Sequence, residues 1–244
     1  HLSYVPEGEN LHPLLAARST VERVLVVLIT SDRGLAGAYN SNVIRFTLEK
    51  LSKWPQPISY VAVGRKGRDV LHRLGKDIRA EFTRLPAEPD YADVSSIGVI
   101  AIDEFRSRAV DQVHLVYTDF INLLRQQPTS KQLLPLEIGL AEARVQAFEN
   151  QTGSPPASYI YEPAQEALIE HILIRFTQLQ LYQAVLESLA SEHAARMVAM
   201  QSATENALDL SAALTLEYNK ARQLAITNDM LDIAGGAEAL AKAT

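Results

Sequence analysis

The amino-acid sequence predicts an α/β protein: a Rossmann-like parallel-sheet domain plus a very long C-terminal helix of coiled-coil type. Three observations carry this expectation. Strand-like and helix-like stretches alternate over residues 21–158, the pattern of a parallel sheet covered by helices. From Ala164 to Ala234 roughly seventy residues pass without glycine or proline, bracketed by Pro163 and by Gly235-Gly236, the punctuation of one continuous helix. Along that helix Leu186, Leu189, Met197, Met200, Ala203, Ala207, Leu214, Tyr218, Ala221 and Ala225 recur at mainly three- and four-residue steps, a coiled-coil seam with one irregularity near His193. The chain therefore divides into an irregular segment over 1–20, an α/β domain over 21–158 and a long helix over 159–244.

The elements follow in order. Pro6, Gly8, Asn10 and Pro13 make the opening a loop. Val21–Thr30 is β-branched and nearly all apolar, as a central strand buried on both faces requires. Residues 31–40, SDRGLAGAYN, form a glycine-containing turn, and Ser41–Lys53 has helical spacing, stopped by Pro55 and Pro57. Ile58–Val63 reads as a second strand, Lys66–Leu74 as a short helix ended by Gly75, and Ile78–Arg84 as a third strand. After Pro86 and Pro89, Tyr91–Val110 is helical, Gln112–Phe120 a strand, and Gln132–Ile138 a further strand. Residues 141–158 are irregular, with a hinge at 151–156. At 1.5 Å per residue the helix over 164–234 would be roughly 105 Å long, too long to fold around its own domain. Its stripe needs a partner helix or a sleeve of other chains, which suits a mechanical or scaffolding role.

Composition narrows the function classes. Hydrophobic residues at 47% and charged residues at 21% describe an ordinary soluble protein. A net charge of −6 speaks against nucleic acid as the main partner. The absence of cysteine excludes disulfides and thiolate metal sites. The longest apolar run, Val24–Ile29, is strand-sized, far short of a membrane span, and no signal-peptide pattern opens the chain. The opening His1-Leu2-Ser3, without methionine and without a strand or helix signal, points to a processed, truncated or engineered start.

Motifs that could carry chemistry are few. Gly34-Leu-Ala-Gly37 sits between a strand and a helix, where α/β proteins bind phosphate, but it is neither GxGxxG nor a P-loop, and such glycines usually serve the backbone alone. The six histidines form no compact metal signature; His171 and His193 share the long helix about six turns apart. Glu166 and Glu170 are four apart, but Arg175 and solvent account for them as a hydrated face. No GxSxG and no cysteine nucleophile is present. No catalytic residue, cofactor site or metal site is expected. Polar groups at Asn219, Lys220, Arg222, Gln223, Thr227, Asn228 and Asp229 surround the distal helix, as a solvated helix end or as a surface bonding to enclosing loops.

At these residues the sequence resembles a known family. SDRGLAGAYNSNVIR (31–45), YIYEP (159–163), RMVAMQSATENALDL (196–210) and LTLEYNKARQLAITNDMLDIAGGAEAL (214–240) are similar to the γ subunit of F-type ATP synthase, bacterial-like or cyanobacterial-like, over about residues 12–244. The resemblance implies the central rotor stalk of a rotary motor, transmitting torque between the membrane c-ring and the catalytic β subunits. It implies a noncatalytic subunit whose partners are the α and β subunits, the ε subunit and the c-ring. It places the chain peripherally on the cytoplasmic face of a bacterial energy-transducing membrane, or the equivalent organelle face. Residue by residue, it sets Arg196, Arg222, Gln223 and Thr227 where the family's shaft meets a β loop. Asp32, Arg33, Gly34 and Ala36 fall near a β lever, and Tyr159, Tyr161 and Glu162 where the foot faces the c-ring. The departure is the family's basic N-terminal helix, which the given residues lack and which would leave the seam uncovered; truncation, proteolysis or a different cover accounts for it. The regulatory dithiol insertion of chloroplast members is also missing.

Two other classes compete. A noncatalytic coiled-coil scaffold with an α/β head would share the periodicity and fail to bind ATP synthase α and β subunits. An α/β enzyme with a helical extension would bind nucleotide or substrate at the 31–40 turn.

Overall fold

A computed structural model describes residues 12–18, 20–136 and 165–243, with side chains over 169–237 in the last stretch. Its elements are β1 (Val24–Ile29), α1 (Tyr39–Leu51), β2 (Ile58–Val63), α2 (Arg65–Arg73), β3 (Asp77–Phe82), α3 (Tyr91–Arg106), β4 (Gln112–Phe120), β5 (Gln126–Leu134) and α4 (Gln165–Ala243). The chain forms two compact units, His1–Met197 and Val198–Thr244.

In the first unit the strands form one sheet in the order β3-β2-β1-β4-β5. β1 is buried along its whole length because both its faces are covered. Val24, Val26 and Leu28 point to one face and join Val43 and Leu51 of α1 and Leu71 of α2. Leu25, Val27 and Ile29 point to the other and join Val94, Ile97 and Phe105 of α3 and Leu173, Leu181 and Val185 of α4. The period-2 alternation of a strand thus divides one apolar run between two cores. Leu14 and Leu15, from the segment expected to be loop, also enter the second core.

β1, β2, β3 and β4 pair in parallel, as expected, while β5 returns antiparallel beside β4. Asn122 makes that return: its Oδ1 accepts from the amides of Leu124 at 3.0 Å and Arg125 at 2.8 Å, an Asx-type turn. β5 therefore begins at Gln126, six residues before the expected Gln132. Its first seven residues, QQPTSKQ, lack apolar alternation, which an edge strand does not need, and Pro128 is tolerated because an edge strand has one row of unpaired groups. The residues from 137 to 164, which include the rest of that expected strand and the expected hinge, lie outside the described residues.

Two further boundaries differ from expectation by four residues or more. α3 stops at Arg106, four residues before Val110, and Arg108 follows in the left-handed region at φ 60°. α4 does not stop at Gly235-Gly236 but runs through both to Ala243. Neither glycine takes the positive φ of a C-cap. Each costs about 1 kcal/mol relative to alanine, and the alanine-rich flanks supply enough propensity to carry the helix across.

Within the first unit α4 has two apolar faces. Leu173, Leu181, Ala184 and Val185 are buried on the sheet. Ile172, Phe176, Leu179 and Leu186, on the opposite side at helical spacing, are exposed. Of the seam residues, Leu189 packs against the domain core, whereas Leu186 faces outward. In the second unit every described side chain from Gln201 to Ala237 is exposed, including Leu214, Tyr218 and Leu224. An apolar face of this kind is an association site. The isolated chain is therefore expected to form dimers or larger species at micromolar concentration in sedimentation velocity. A monomer whose distal amides are fully protected from exchange would contradict this.

Candidate functional site

The turn after β1 and the stretch 188–196 of α4 meet within the first unit. The turn is held by its own side chains. Ser31 donates its hydroxyl to the Arg33 carbonyl at 2.6 Å, and its amide donates to Asn40 Oδ1 at 3.0 Å. Asp32 anchors the next loops: Oδ1 accepts from the Arg65 amide at 3.0 Å and Oδ2 from the Arg84 amide at 2.7 Å. The first of these satisfies an orphan donor at the start of α2, where a negative group is also favoured by the helix dipole. Leu35 and Gly37 take positive φ, at 62° and 54°, and lift Leu35 to 76% exposure.

On the helix side, Arg196 pairs with Glu192 one turn earlier and reaches the Gly34 carbonyl at 3.4 Å. Glu192 is buried, so this guanidinium neutralises a carboxylate that has little water. Tyr39 shares a 2.6 Å hydrogen bond with Ser188. Burial, the dominant cause, pushes the Tyr39 hydroxyl well above the usual phenol range, so it stays neutral. A cleft of about 430 Å³ opens here, lined among others by Asp32, Arg33, Arg65, Arg84, His193 and Arg196. The guanidiniums outnumber the carboxylates, and both carboxylates, Asp32 and Glu192, are already bonded. That chemistry grips acidic or carbonyl groups better than it moves protons.

Of the expected contact residues, the structure brings Asp32, Arg33 and Arg196 to one cleft and sets the Gly34 carbonyl within reach of Arg196. Ala36, in the same turn, is buried at 2% exposure, so its side chain supports the turn from inside. Arg222, Gln223 and Thr227 belong to the second unit and are exposed; the Thr227 hydroxyl donates to its own Gln223 carbonyl at 2.9 Å. Tyr159, Tyr161 and Glu162 lie outside the described residues. Sequence reasoning missed Arg65, Arg84 and Leu35. A leucine amid a polar turn was the one legible signal; the two arginines enter only because β2 lies beside β1 and β3 beside β2, which brings the ends of β2 and β3 to the Asp32 carboxylate. Among the described residues no three metal-ligating side chains cluster, and no helix is long and apolar enough to cross a membrane.

Fold and site together define a protein with a five-stranded α/β domain and one very long helix that exposes apolar faces. A family model described as ATP synthase matches residues 2–240, and the chain belongs to this family as a gamma chain. It is 44% identical over 241 residues to the ATP synthase gamma chain of Dehalococcoides mccartyi strain CBDB1, covering 98% of this chain and 81% of that one. It is 42% identical to the gamma chain of Herpetosiphon aurantiacus, covering 96% and 78%. Among solved structures it is similar to a chain of the central stalk and c-ring of Tetrahymena thermophila mitochondrial ATP synthase, with a TM-score of 0.60 and 27% identity over 77% of this chain and 79% of that one. A chain in the OSCP/F1/c-ring structure of Euglena gracilis mitochondrial ATP synthase shares the fold, with a TM-score of 0.68 and 22% identity over 93% and 78%.

Proposed function

We propose that the chain is the central rotor stalk, transmitting torque between a membrane c-ring and the β subunits while performing no bond chemistry itself. The observation that carries this is the second unit: a helix with every described side chain from 201 to 237 exposed, apolar and polar alike, suits enclosure by other chains. The named matches to gamma chains and to a central stalk support the same reading. Its partners are then the α and β subunits around the helix, with the ε subunit and c-ring at the foot. Residues 1–20, 21–158 and 159–244 divide as an irregular segment, foot and shaft. The protein sits peripherally on the cytoplasmic face of a bacterial membrane, or its organelle equivalent.

In this reading Arg196, Arg222, Gln223 and Thr227 meet a β loop, Asp32, Arg33 and Gly34 a β lever on the turn that buried Ala36 supports from inside, and Tyr159, Tyr161 and Glu162 the c-ring. Arg196 already spans Glu192 and the Gly34 carbonyl, and its five-donor fork can serve a third acceptor from another chain. The test is Arg196→Ala with Gln223→Ala in the assembled enzyme. Hydrogen bonds to charged groups contribute roughly 1.5–3 kcal/mol each, so losing both should weaken one rotational state without dissolving the complex. ATP-driven proton pumping and ATP synthesis should fall far more than assembly yield. Normal synthesis and pumping in the double variant would remove these side chains from the coupling contact, and failure of the chain to assemble with α and β subunits would overturn the rotor reading itself.

A further inference from the structure

The first part of α4 rests on the sheet through Leu173, Leu181, Ala184 and Val185. The apolar stripe sets which face of the helix meets the sheet, but apolar contact is non-directional, so it opposes a small turn about the helix axis only weakly.

Directional bonds from four parts of the domain supply what the stripe lacks. Tyr91, at the start of α3, donates its hydroxyl to Gln178 Oε1, and the Tyr182 hydroxyl donates to the Pro89 carbonyl at 3.2 Å. Tyr39 of α1 bonds Ser188 at 2.6 Å. Ser191 donates to the Thr118 carbonyl of β4 at 3.1 Å, and Arg196 to the Gly34 carbonyl of the turn at 3.4 Å. At about 100° per residue, Ser191 lies toward one margin of the apolar stripe, Ser188 near its middle, and Gln178, Tyr182 and Arg196 toward the other margin. Bonds on both margins resist turning in either sense. Gly98 completes the seat: a Cβ there would meet Gln178 Cγ at 2.9 Å, so α3 holds this side chain sterically as well.

We propose that these bonds key α4 against rotation about its own axis, with Tyr39–Ser188 and Tyr91–Gln178 as the positioning pairs, and that rotational load passes between the α/β domain and the helix at residues 178–196. This rests on the rotor reading for its function but not for its geometry. Tyr39 and Ser188 are buried, at 5% and 1% exposure, so their bond does not compete with water.

The geometry can be tested on the chain alone. The sequence has no cysteine, so Glu49→Cys on α1 and Ala190→Cys on α4, both exposed, accept a pair of spin labels cleanly. The keyless variant combines Tyr39→Phe with Ser188→Ala and Tyr91→Phe with Gln178→Leu, removing both partners of each pair so that neither leaves an orphan, a change that can be nearly neutral for stability. The label distance distribution should broaden or shift in the keyless variant; an unchanged distribution overturns the key. Tyr39→Phe with Ser188→Ala alone gives the same reading should the fourfold variant not fold. In the assembled complex the keyless chain should lower ATP synthesis at limiting proton-motive force by about fivefold or more, with ATP hydrolysis within about twofold of wild type, and restoring Tyr39 and Ser188 should recover most of it. A broadened distribution with unaltered synthesis would overturn the load path. Because the label experiment uses no other subunit, it stands whatever becomes of the rotor reading.

Discussion

Gly64→Ala is expected to cost about 4 kcal/mol or more and to leave little folded protein at 37 °C. Gly64 is the N-cap of α2 and holds φ 90°, ψ 143°, a region that L-residues rarely adopt. A Cβ there would lie 2.1 Å from the Thr30 carbonyl oxygen and 2.6 Å from its carbon, both backbone atoms that cannot rotate away. Nor can the backbone retreat freely. The Gly64 amide donates to Phe82 at 2.8 Å, tying β2 to β3, and the Thr30 amide donates to Val63 at 2.8 Å, tying β1 to β2. Shifting either strand also withdraws the Arg65 amide from Asp32, so the 31–37 turn loses its anchor. Gly75→Ala is the comparison: φ is 62°, but nothing lies within 4 Å of the new Cβ, so only the left-handed penalty of about 1–2 kcal/mol remains. Denaturant titration followed by circular dichroism separates the two. Equal midpoints for the alanine variants would show that the strand ends yield more readily than the contacts imply.

The second large effect is expected at Asp111, at the opposite end of the sheet. Its Oδ1 pairs with Arg18, and its Oδ2 accepts from the amides of Glu22 at 2.8 Å and Arg23 at 2.9 Å. Arg18 also donates to the carbonyls of Val110 and Phe105, both at 2.7 Å, and its guanidinium stacks 4.8 Å from the Phe105 ring centre. Asp111→Ala therefore strips a part-buried cation of its anion and leaves two amides without partners, at a cost of about 2–3 kcal/mol. Burial alone would raise the Asp111 carboxyl. The hydrogen bonds from Arg18, Arg23 and Glu22 outweigh that and hold it below the ordinary value of 3.8. A carboxylate with a depressed folded pKa contributes stability that is full above about pH 4 and is lost as pH falls through the folded value. The stability gap between wild type and Asp111→Asn should accordingly be widest at neutral pH and close in acid. A gap that stays constant from pH 7 to pH 3 would show that the charge of Asp111 contributes nothing.

The α/β alternation, the central strand and the long helix were legible because each rests on a local periodicity. β1 announces itself by six apolar residues in a row, and α4 by the lack of a breaker. What could not be read is what depends on neighbours. β5 carries polar residues because it lies at an edge, and nothing in QQPTSKQ says so. The Gly235-Gly236 pair looks like a stop signal, yet a terminator acts only where the chain has another conformation to turn into. The candidate site divides the same way. Arg196 and the 31–37 turn were named from the family resemblance, whereas their union through Gly34 and Glu192 is a tertiary fact. Asp32, named with them, spends its carboxylate on the amides of Arg65 and Arg84.

One helix here spans two thermodynamic regimes. Up to Met197 one face of it buries apolar surface that unfolding exposes; from Met200 to Ala237 the side chains are already wet. Melting the distal stretch of the monomeric chain therefore absorbs the enthalpy of breaking backbone hydrogen bonds while adding little to the heat-capacity increment or to the denaturant m-value, both of which scale with newly exposed surface. Calorimetry of this protein would report the size of a much smaller globular protein, and circular dichroism would report a larger one. The difference between them measures how much of the chain depends on company for its cooperativity.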